Sequence, residues 1–152
     1  MDYDFDVLLR LAAAVVAGLA IGFNRDVAHK ALGMRTLALV ALGAAVVTIA
    51  GMEYTELDDA ASQSRILQGI IQGVLTGIGF LGAGAILRDQ QSQQVHGLTT
   101  AATVWITAAL GIGCALGAWL PVAAGIVLSI LVLFALEKLE QRFWPDRDGP
   151  PH

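Results

Sequence analysis

Residues 77–88 read GIGFLGAGAILR, which places four glycines in eight positions within an apolar run. Glycine is a poor helix former in water, because it loses the most backbone freedom on folding. Between membrane helices the same residue is favourable, because small side chains let two backbones approach closely. The glycines therefore indicate that this segment folds as a helix in lipid.

The composition of the whole chain supports a membrane protein. Of its 152 residues, 56% are hydrophobic and only 14% are charged, whereas soluble domains have about 25% charged residues. The net charge of −4 argues against a nucleic-acid-binding domain, which usually has a basic face. The start, MDYDFD, is acidic and differs from the basic start of a cleavable signal peptide. We therefore expect the first apolar run to be kept as a membrane anchor.

Apolar runs long enough to cross a hydrocarbon core of about 30 Å occur five times along the chain. They cover residues 7–23, 36–52, 66–87, 98–116 and 119–136. The last two runs nearly touch, which requires a tight turn at Gly117 and Ala118. The sequence predicts an all-α membrane protein with five transmembrane helices, an extracytoplasmic tail over residues 1–6 and a cytoplasmic tail over residues 137–152.

The basic residues predict the orientation, because cytoplasmic connections are enriched in lysine and arginine. They concentrate in the first and third connections and in the carboxyl-terminal tail: Arg25, Lys30, Arg35, Arg88, Lys138, Arg142 and Arg147. The second connection is instead rich in carboxylates. We expect the amino terminus outside and the carboxyl terminus in the cytoplasm. The short carboxyl-terminal extension is expected to be amphipathic, to continue the last helix and to lie along the membrane surface.

Small residues recur every four positions on two of the predicted helices and mark helix-packing faces. The first span has Gly18 and Gly22, and the third has Gly69, Gly73 and Gly77, followed by Gly79, Gly82 and Gly84 on other faces. These faces pack either between spans of one chain or between copies. A homodimer is favoured, because five helices form only a thin bundle. Beyond Gly77 the third helix either stays tightly packed or loosens.

A polar stripe on the third span and a polar layer at its cytoplasmic boundary are the candidate sites. The stripe contains Gln68, Gln72 and Thr76 below Arg65, and serves either interhelix hydrogen bonds or a hydrated pathway. The layer comprises Asn24, Arg25, Asp26, Arg35, Thr36, Arg88, Asp89, His96, Thr99 and Thr100. The second and fourth predicted helices begin at this layer, and their positive dipole ends point at it. The layer therefore suits an anion, a lipid headgroup or an acidic partner.

Two further interpretations of the polar layer stay open. Asp26 and Asp89 are able to pair with the arginines, or to hold a hydrated magnesium ion through water. The arginines are also expected at this boundary for orientation alone. No carboxylate falls in the middle of a span, which argues against a carrier. The sequence contains no P-loop, no Ser–His–Asp triad pattern and no metal-ligand spacing. It therefore predicts no enzyme and no firmly bound cofactor.

Four stretches carry a family resemblance. They are AGLAIGFNRD (17–26), LGMRTLALVALGA (32–44), GIGFLGAGAIL (77–87) and VHGLTTAATVWITAALGIGCALG (95–117). Over roughly residues 8–136 the sequence resembles the MgtC/SapB family of bacterial membrane proteins. The resemblance implies a five-span domain in the bacterial inner membrane and a role in growth at low magnesium. It also implies, for some pathogens, survival inside host cells.

The resemblance also implies that some members of this family act by restraining the proton-translocating ATP synthase. We therefore expect a regulatory protein that binds a membrane partner; the alternative is a transporter or channel for a divalent cation such as magnesium, or for protons. Two features depart from the family pattern. Asn24 stands where the family usually has an acidic residue. Some members have a soluble carboxyl-terminal domain, whereas this sequence ends 16 residues after the last predicted span, so we expect the hydrophobic domain alone.

Overall fold

The computed structural model of the protein describes residues 3–27, 30, 32–53, 60–88 and 95–143. Its helices are α1 (Tyr3–Val27), α2 (Met34–Glu53), α3 (Ala60–Ala85), α4 (Leu98–Ala115) and α5 (Trp119–Phe143). Between α3 and α4, the two-residue strands β1 (Leu87–Arg88) and β2 (Val95–His96) pair antiparallel. Apart from this short pairing, the described part of the chain is helical, which confirms the predicted all-α fold.

Each predicted span coincides with one helix. Within the described residues, α1 to α4 are long and apolar enough to cross a membrane, while the apolar part of α5, Trp119–Ala135, is slightly shorter. The helix α1 begins at Tyr3, so the predicted tail is helical from that residue on. The helix α3 is continuous to Ala85 and does not break at its glycines. The predicted continuation of the last helix beyond residue 136 is confirmed, because α5 extends to Phe143.

The centre of the bundle is formed by α1, α2 and α4, which pack on one another. The other two helices flank this centre: α3 packs on α4 and α2, and α5 packs on α4 and α1. Small residues let the central backbones meet. A Cβ atom added at Gly111 of α4 would lie 2.2 Å from the carbonyl oxygen of Ala41 in α2. Such close approach is how membrane helices gain packing energy without a hydrophobic driving force.

The glycines of α1 form the contact with α2. A Cβ atom added at Gly18 would lie 2.6 Å from the Cα atom of Ala38, and one at Gly22 would lie 2.4 Å from that of Met34. Neither position has room for a side chain. The small-residue face predicted for the first span therefore packs between spans of the same chain.

The tight turn between α4 and α5 follows the Schellman pattern. The N–H of Ala118 donates to Gly113 O at 2.9 Å, and the N–H of Gly117 donates to Cys114 O at 3.0 Å. The φ of Gly117 is 68°, a left-handed conformation that glycine adopts without steric cost. This geometry reverses the chain within Leu116, Gly117 and Ala118, as the short connection requires.

Gly97, the glycine of the HGLTT stretch, is likewise required by the backbone geometry. Gly97 precedes α4 with a φ of 90°, and a Cβ atom there would lie 2.0 Å from the carbonyl oxygen of Ala85. Only glycine fits this position, where the end of α3 approaches the start of α4. Gly97 thereby brings the carboxyl end of α3 and the amino end of α4 to the same end of the bundle.

Candidate functional site

The side chain of Arg25 ties the end of α1 to the start of α4. Its guanidinium Nη2 donates a hydrogen bond to the hydroxyl oxygen of Thr100. Arg25 is only 4% exposed and Thr100 only 6%. A buried charge is costly unless hydrogen bonds replace its lost hydration, so this bond stabilises the position of Arg25. We call this end of the molecule the Arg25 end of the bundle.

The other buried hydroxyl groups of α4 bond within their own helix. Thr103 Oγ1 donates to Thr99 O at 2.7 Å, and Thr107 Oγ1 donates to Thr103 O at 2.8 Å. In α2, the buried Thr48 donates in the same way to Ala44 O at 2.7 Å. Such back-bonding satisfies a hydroxyl without a partner helix. These three threonines therefore present no donor to a ligand.

The carboxylate of Asp26 caps the start of α2. Its Oδ2 accepts a hydrogen bond from the backbone N–H of Met34 at 3.0 Å. The lack of a side chain at Gly33 is essential here, because a Cβ atom would lie 1.7 Å from Asp26 Oδ1. A carboxylate is also favoured at this place by the positive end of the helix dipole. Among the described residues, Asp26 bonds to this helix start and not to an arginine.

We expect Asp26→Ala to lower the free energy of unfolding by about 1 kcal/mol, the typical effect of losing a helix cap. Unfolding by sodium dodecyl sulfate in mixed micelles, followed by circular dichroism, measures the loss. Asp4→Ala is the matched control, because Asp4 is an exposed residue in the first turn of α1. Equal losses for the two variants would contradict the capping role.

Asn24 is buried beside Arg25, and its amide nitrogen has no hydrogen-bond partner among the residues that the structure describes. The side chain is 4% exposed, and Nδ2 makes no hydrogen bond within the structure. An unsatisfied buried donor typically costs about 1–3 kcal/mol. The family resemblance implies an acidic residue at this position. Asn24 instead places a hydrogen-bond donor where an ionised carboxylate would have only acceptors.

The remaining residues of the predicted polar layer divide into two groups. Arg35, Thr36 and Thr99 are exposed at the Arg25 end of the bundle. Asp89 and the side chains of Arg88 and His96 lie outside the part of the chain that the structure describes. The structure therefore brings Arg25 together with Thr100, and Asp26 with the start of α2. It leaves the exposed members as separate surface groups.

The predicted polar stripe of α3 points away from the bundle. Gln68, Gln72 and Thr76 are exposed, and Thr76 Oγ1 donates to Gln72 O of its own helix at 2.8 Å. Most α3 glycines are equally open: a Cβ atom would meet nothing within 4 Å at Gly69, Gly73, Gly77, Gly79 and Gly84. Only at Gly82 would it touch a neighbour, Ala101 in α4, at an ordinary 3.6 Å. Of the predicted packing glycines, those of α1 pack within the chain, whereas these five do not.

Sequence reasoning did not single out Arg10, which lies within the first span. Its Nε donates to Asp6 Oδ2 at 2.6 Å, and its Nη1 donates to Ala115 O at 2.7 Å. The cation thus binds a free carbonyl at the carboxyl end of α4, where the helix dipole is negative. The four-residue spacing of Asp6 and Arg10 was the available signal, because such pairs face each other on a helix.

A metal site is not formed by the residues described. No three of their His, Cys, Asp and Glu side chains come close enough together to hold an ion. A hydrated magnesium ion at Asp26 and Asp89 stays a prediction, since Asp89 is not among them.

A bundle whose helices α1 to α4 are long and apolar enough to cross a membrane is the architecture of a multi-pass integral membrane protein. The chain belongs to the MgtC family, whose model matches residues 11–142. Protein SrpB of Synechococcus elongatus is 40% identical over 89% of this chain and 77% of its own length. Protein MgtC of Salmonella typhimurium is 37% identical over 91% of this chain and 55% of its own length.

A third relative, the putative magnesium transporter YhiD of Escherichia coli, is 36% identical over 90% of this chain and 61% of its own length. The chain thus spans little more than half the length of the MgtC proteins that it matches. No solved structure matches it significantly. Its family and its apolar helices identify it as an MgtC-like multi-pass protein of the inner membrane.

Proposed function

We propose that this protein is a regulatory membrane protein of low-magnesium adaptation, which acts by binding another membrane protein and has no catalytic role. The observation that carries the proposal is that every buried threonine hydroxyl among the described residues takes part in a hydrogen bond inside the protein. Arg25 donates to Thr100, and the buried threonines below it bond to their own helix. A permeating ion needs polar groups that are free to replace its water.

The exposed polar residues at the Arg25 end of the bundle are the proposed contact surface. Arg35, Thr36 and Thr99 are accessible there, whereas Arg25 and Thr100 are occupied in holding α1 to α4. A basic, hydroxyl-rich rim at the membrane boundary suits an acidic surface of a membrane protein. From the family resemblance, we propose the proton-translocating ATP synthase as that partner.

Proteoliposomes that contain a proton-translocating ATP synthase test the proposal. Adding the purified protein in excess is expected to slow ATP-driven acidification, followed by quenching of a pH-sensitive dye. Arg35→Glu is expected to abolish the effect, because it reverses the charge of the contact surface. Arg65→Glu is the matched control, since Arg65 is also an exposed arginine but lies near the start of α3, at the other end of the bundle.

A transporter or channel for magnesium or protons is the second candidate function. The exposed stripe of Gln68, Gln72 and Thr76 favours it, because polar side chains at membrane depth often mark ion pathways. The name of the Escherichia coli relative also favours it. Vesicles that contain this protein alone, loaded with a magnesium-sensitive or a pH-sensitive dye, separate the two functions. Flux above that of empty vesicles would overturn the regulatory proposal.

A further inference from the structure

The helix α3 exposes its most polar and smallest side chains on one face. This α3 face consists of Gln68, Gly69, Gln72, Gly73, Thr76 and Gly77, all of them exposed. Its opposite side packs into the bundle through Ile71, Val74 and Ile78. Only 11% of the apolar stretch of α3 is buried, compared with 56% for α4. The α3 face therefore lies on the outside of the isolated chain.

The outer surface of α5 shows what a lipid-facing helix of this protein looks like. Val127, Leu128 and Leu131 are 57%, 60% and 54% exposed there, and such large apolar side chains are compatible with acyl chains. The α3 face has the opposite character, because its two amides would lie unbonded in hydrocarbon. Polar groups without a hydrogen-bond partner are unfavourable in hydrocarbon. This contrast indicates that another protein surface covers the α3 face in the membrane.

The glycines of the α3 face support the same conclusion. In α1, the glycine positions are filled by the backbone of α2, as at Gly18 and Ala38. At Gly69, Gly73 and Gly77 the same four-residue spacing meets nothing within 4 Å of an added Cβ atom. The groove is thus formed in full, but no described helix of this chain occupies it.

We propose that the α3 face binds the α3 face of a second copy, around a two-fold axis along the membrane normal. In such a pair the two α3 helices cross the membrane in the same direction, so each residue meets its counterpart at the same depth. A carboxamide has both donor and acceptor atoms, so Gln68 and Gln72 can bond to the same residues of the partner. A glycine groove is likewise complementary to itself.

Charge does not oppose this pairing. The one charged residue on this side of α3 within its described part is Arg65, close to the start of the helix. Its Nε donates to Ala61 O at 3.3 Å and its Nη2 to Ser62 Oγ at 3.4 Å, so the guanidinium is drawn back toward the helix start. The pairing is independent of the proposed function, because a regulator and a transporter can both be dimers.

Single-cysteine cross-linking in native membranes tests the pairing. Cys114 is buried and is first replaced by alanine, after which cysteines are introduced singly at positions 69, 73 and 77. Oxidation is expected to yield self-dimers at all three positions. Val127→Cys and Leu131→Cys on the exposed surface of α5 are the controls and are expected to yield none. Absence of self-dimers at the α3 positions, or equal yields on α5, would overturn the proposal.

A glycine-to-leucine comparison separates dimerisation from folding. Gly73→Leu is expected to give monomers in single-molecule photobleaching in liposomes, with unchanged thermal unfolding in detergent. Gly43→Leu in α2 is the matched control, because a Cβ atom at Gly43 also meets nothing within 4 Å, and it should remain dimeric. Gln72→Leu is expected to weaken the dimer about threefold, as a lost interhelix hydrogen bond predicts. A dimeric Gly73→Leu protein would overturn the proposal.

Discussion

Replacing Gly18 with leucine is expected to prevent the native packing of α1 on α2. A Cβ atom at position 18 would lie 2.6 Å from both the Cα atom of Ala38 and the carbonyl oxygen of Leu37. Both are backbone atoms, so no side-chain rotation can relieve the clash. Inserting extra atoms into a packed core costs about 1–3 kcal/mol even where side chains adjust, and a rigid backbone contact should cost at least as much. Unfolding by sodium dodecyl sulfate in mixed micelles measures the effect.

The matched control for Gly18→Leu is Gly43→Leu on the partner helix. Gly43 is exposed, and an added Cβ atom there meets nothing within 4 Å, so its variant should be at least as stable as the wild type. Both changes add the same side chain to a helical glycine, so differences in helix propensity cancel. An equal loss of stability in the two variants would contradict the assignment of Gly18 to the α1–α2 contact.

The number and order of the helices could be predicted from sequence, because span length is set by the thickness of the membrane. Each apolar run is a helix in the structure, and the tight turn before Trp119 is where the glycine predicts it. Helix ends were less predictable. The α1 helix begins at Tyr3, a full turn before the first predicted span, because acidic residues at its start favour a helix amino terminus.

Sequence spacing alone could not distinguish the two glycine-bearing helices. Gly18 with Gly22 and Gly69 with Gly73 have the same four-residue repeat, yet only the first pair packs within the chain. Which groove is filled depends on the arrangement of helices around the centre, and this is a tertiary property. For both helices the sequence left open whether the glycines pack between spans or between copies; in the structure the α1 glycines meet α2, and packing of the α3 glycines between copies stays a prediction.

The candidate site was predictable in position but not in its bonding. The order of the spans predicts that Arg25, Asp26 and Thr100 meet at one end of the bundle, and the structure brings them there. Their partners were not predictable. Asp26 reaches the backbone N–H of Met34 across the connection between α1 and α2, in which Leu32 has an unusual φ of 62°. Side-chain spacing contains no signal for such a connection.

The hydrogen bond between Arg25 and Thr100 is expected to contribute strongly to stability, and a double-mutant cycle measures it. Thr100→Val removes the acceptor of a buried cation and should cost about 1.5–3 kcal/mol, the range for hydrogen bonds to charged groups. Once Arg25→Met has removed the cation, Thr100→Val should cost far less. The difference between these two costs is the coupling energy of the pair.

Thr103→Val is the control variant for this double-mutant cycle. Thr103 is buried in the same helix, one turn further on, but its hydroxyl donates to Thr99 O and not to Arg25. The effect of Thr103→Val should therefore add to that of Arg25→Met with no coupling. If both threonines coupled equally to Arg25, the cycle would report general loosening of α4. Coupling confined to Thr100 would mean that this buried cation fastens α1 to α4 through the Thr100 hydroxyl.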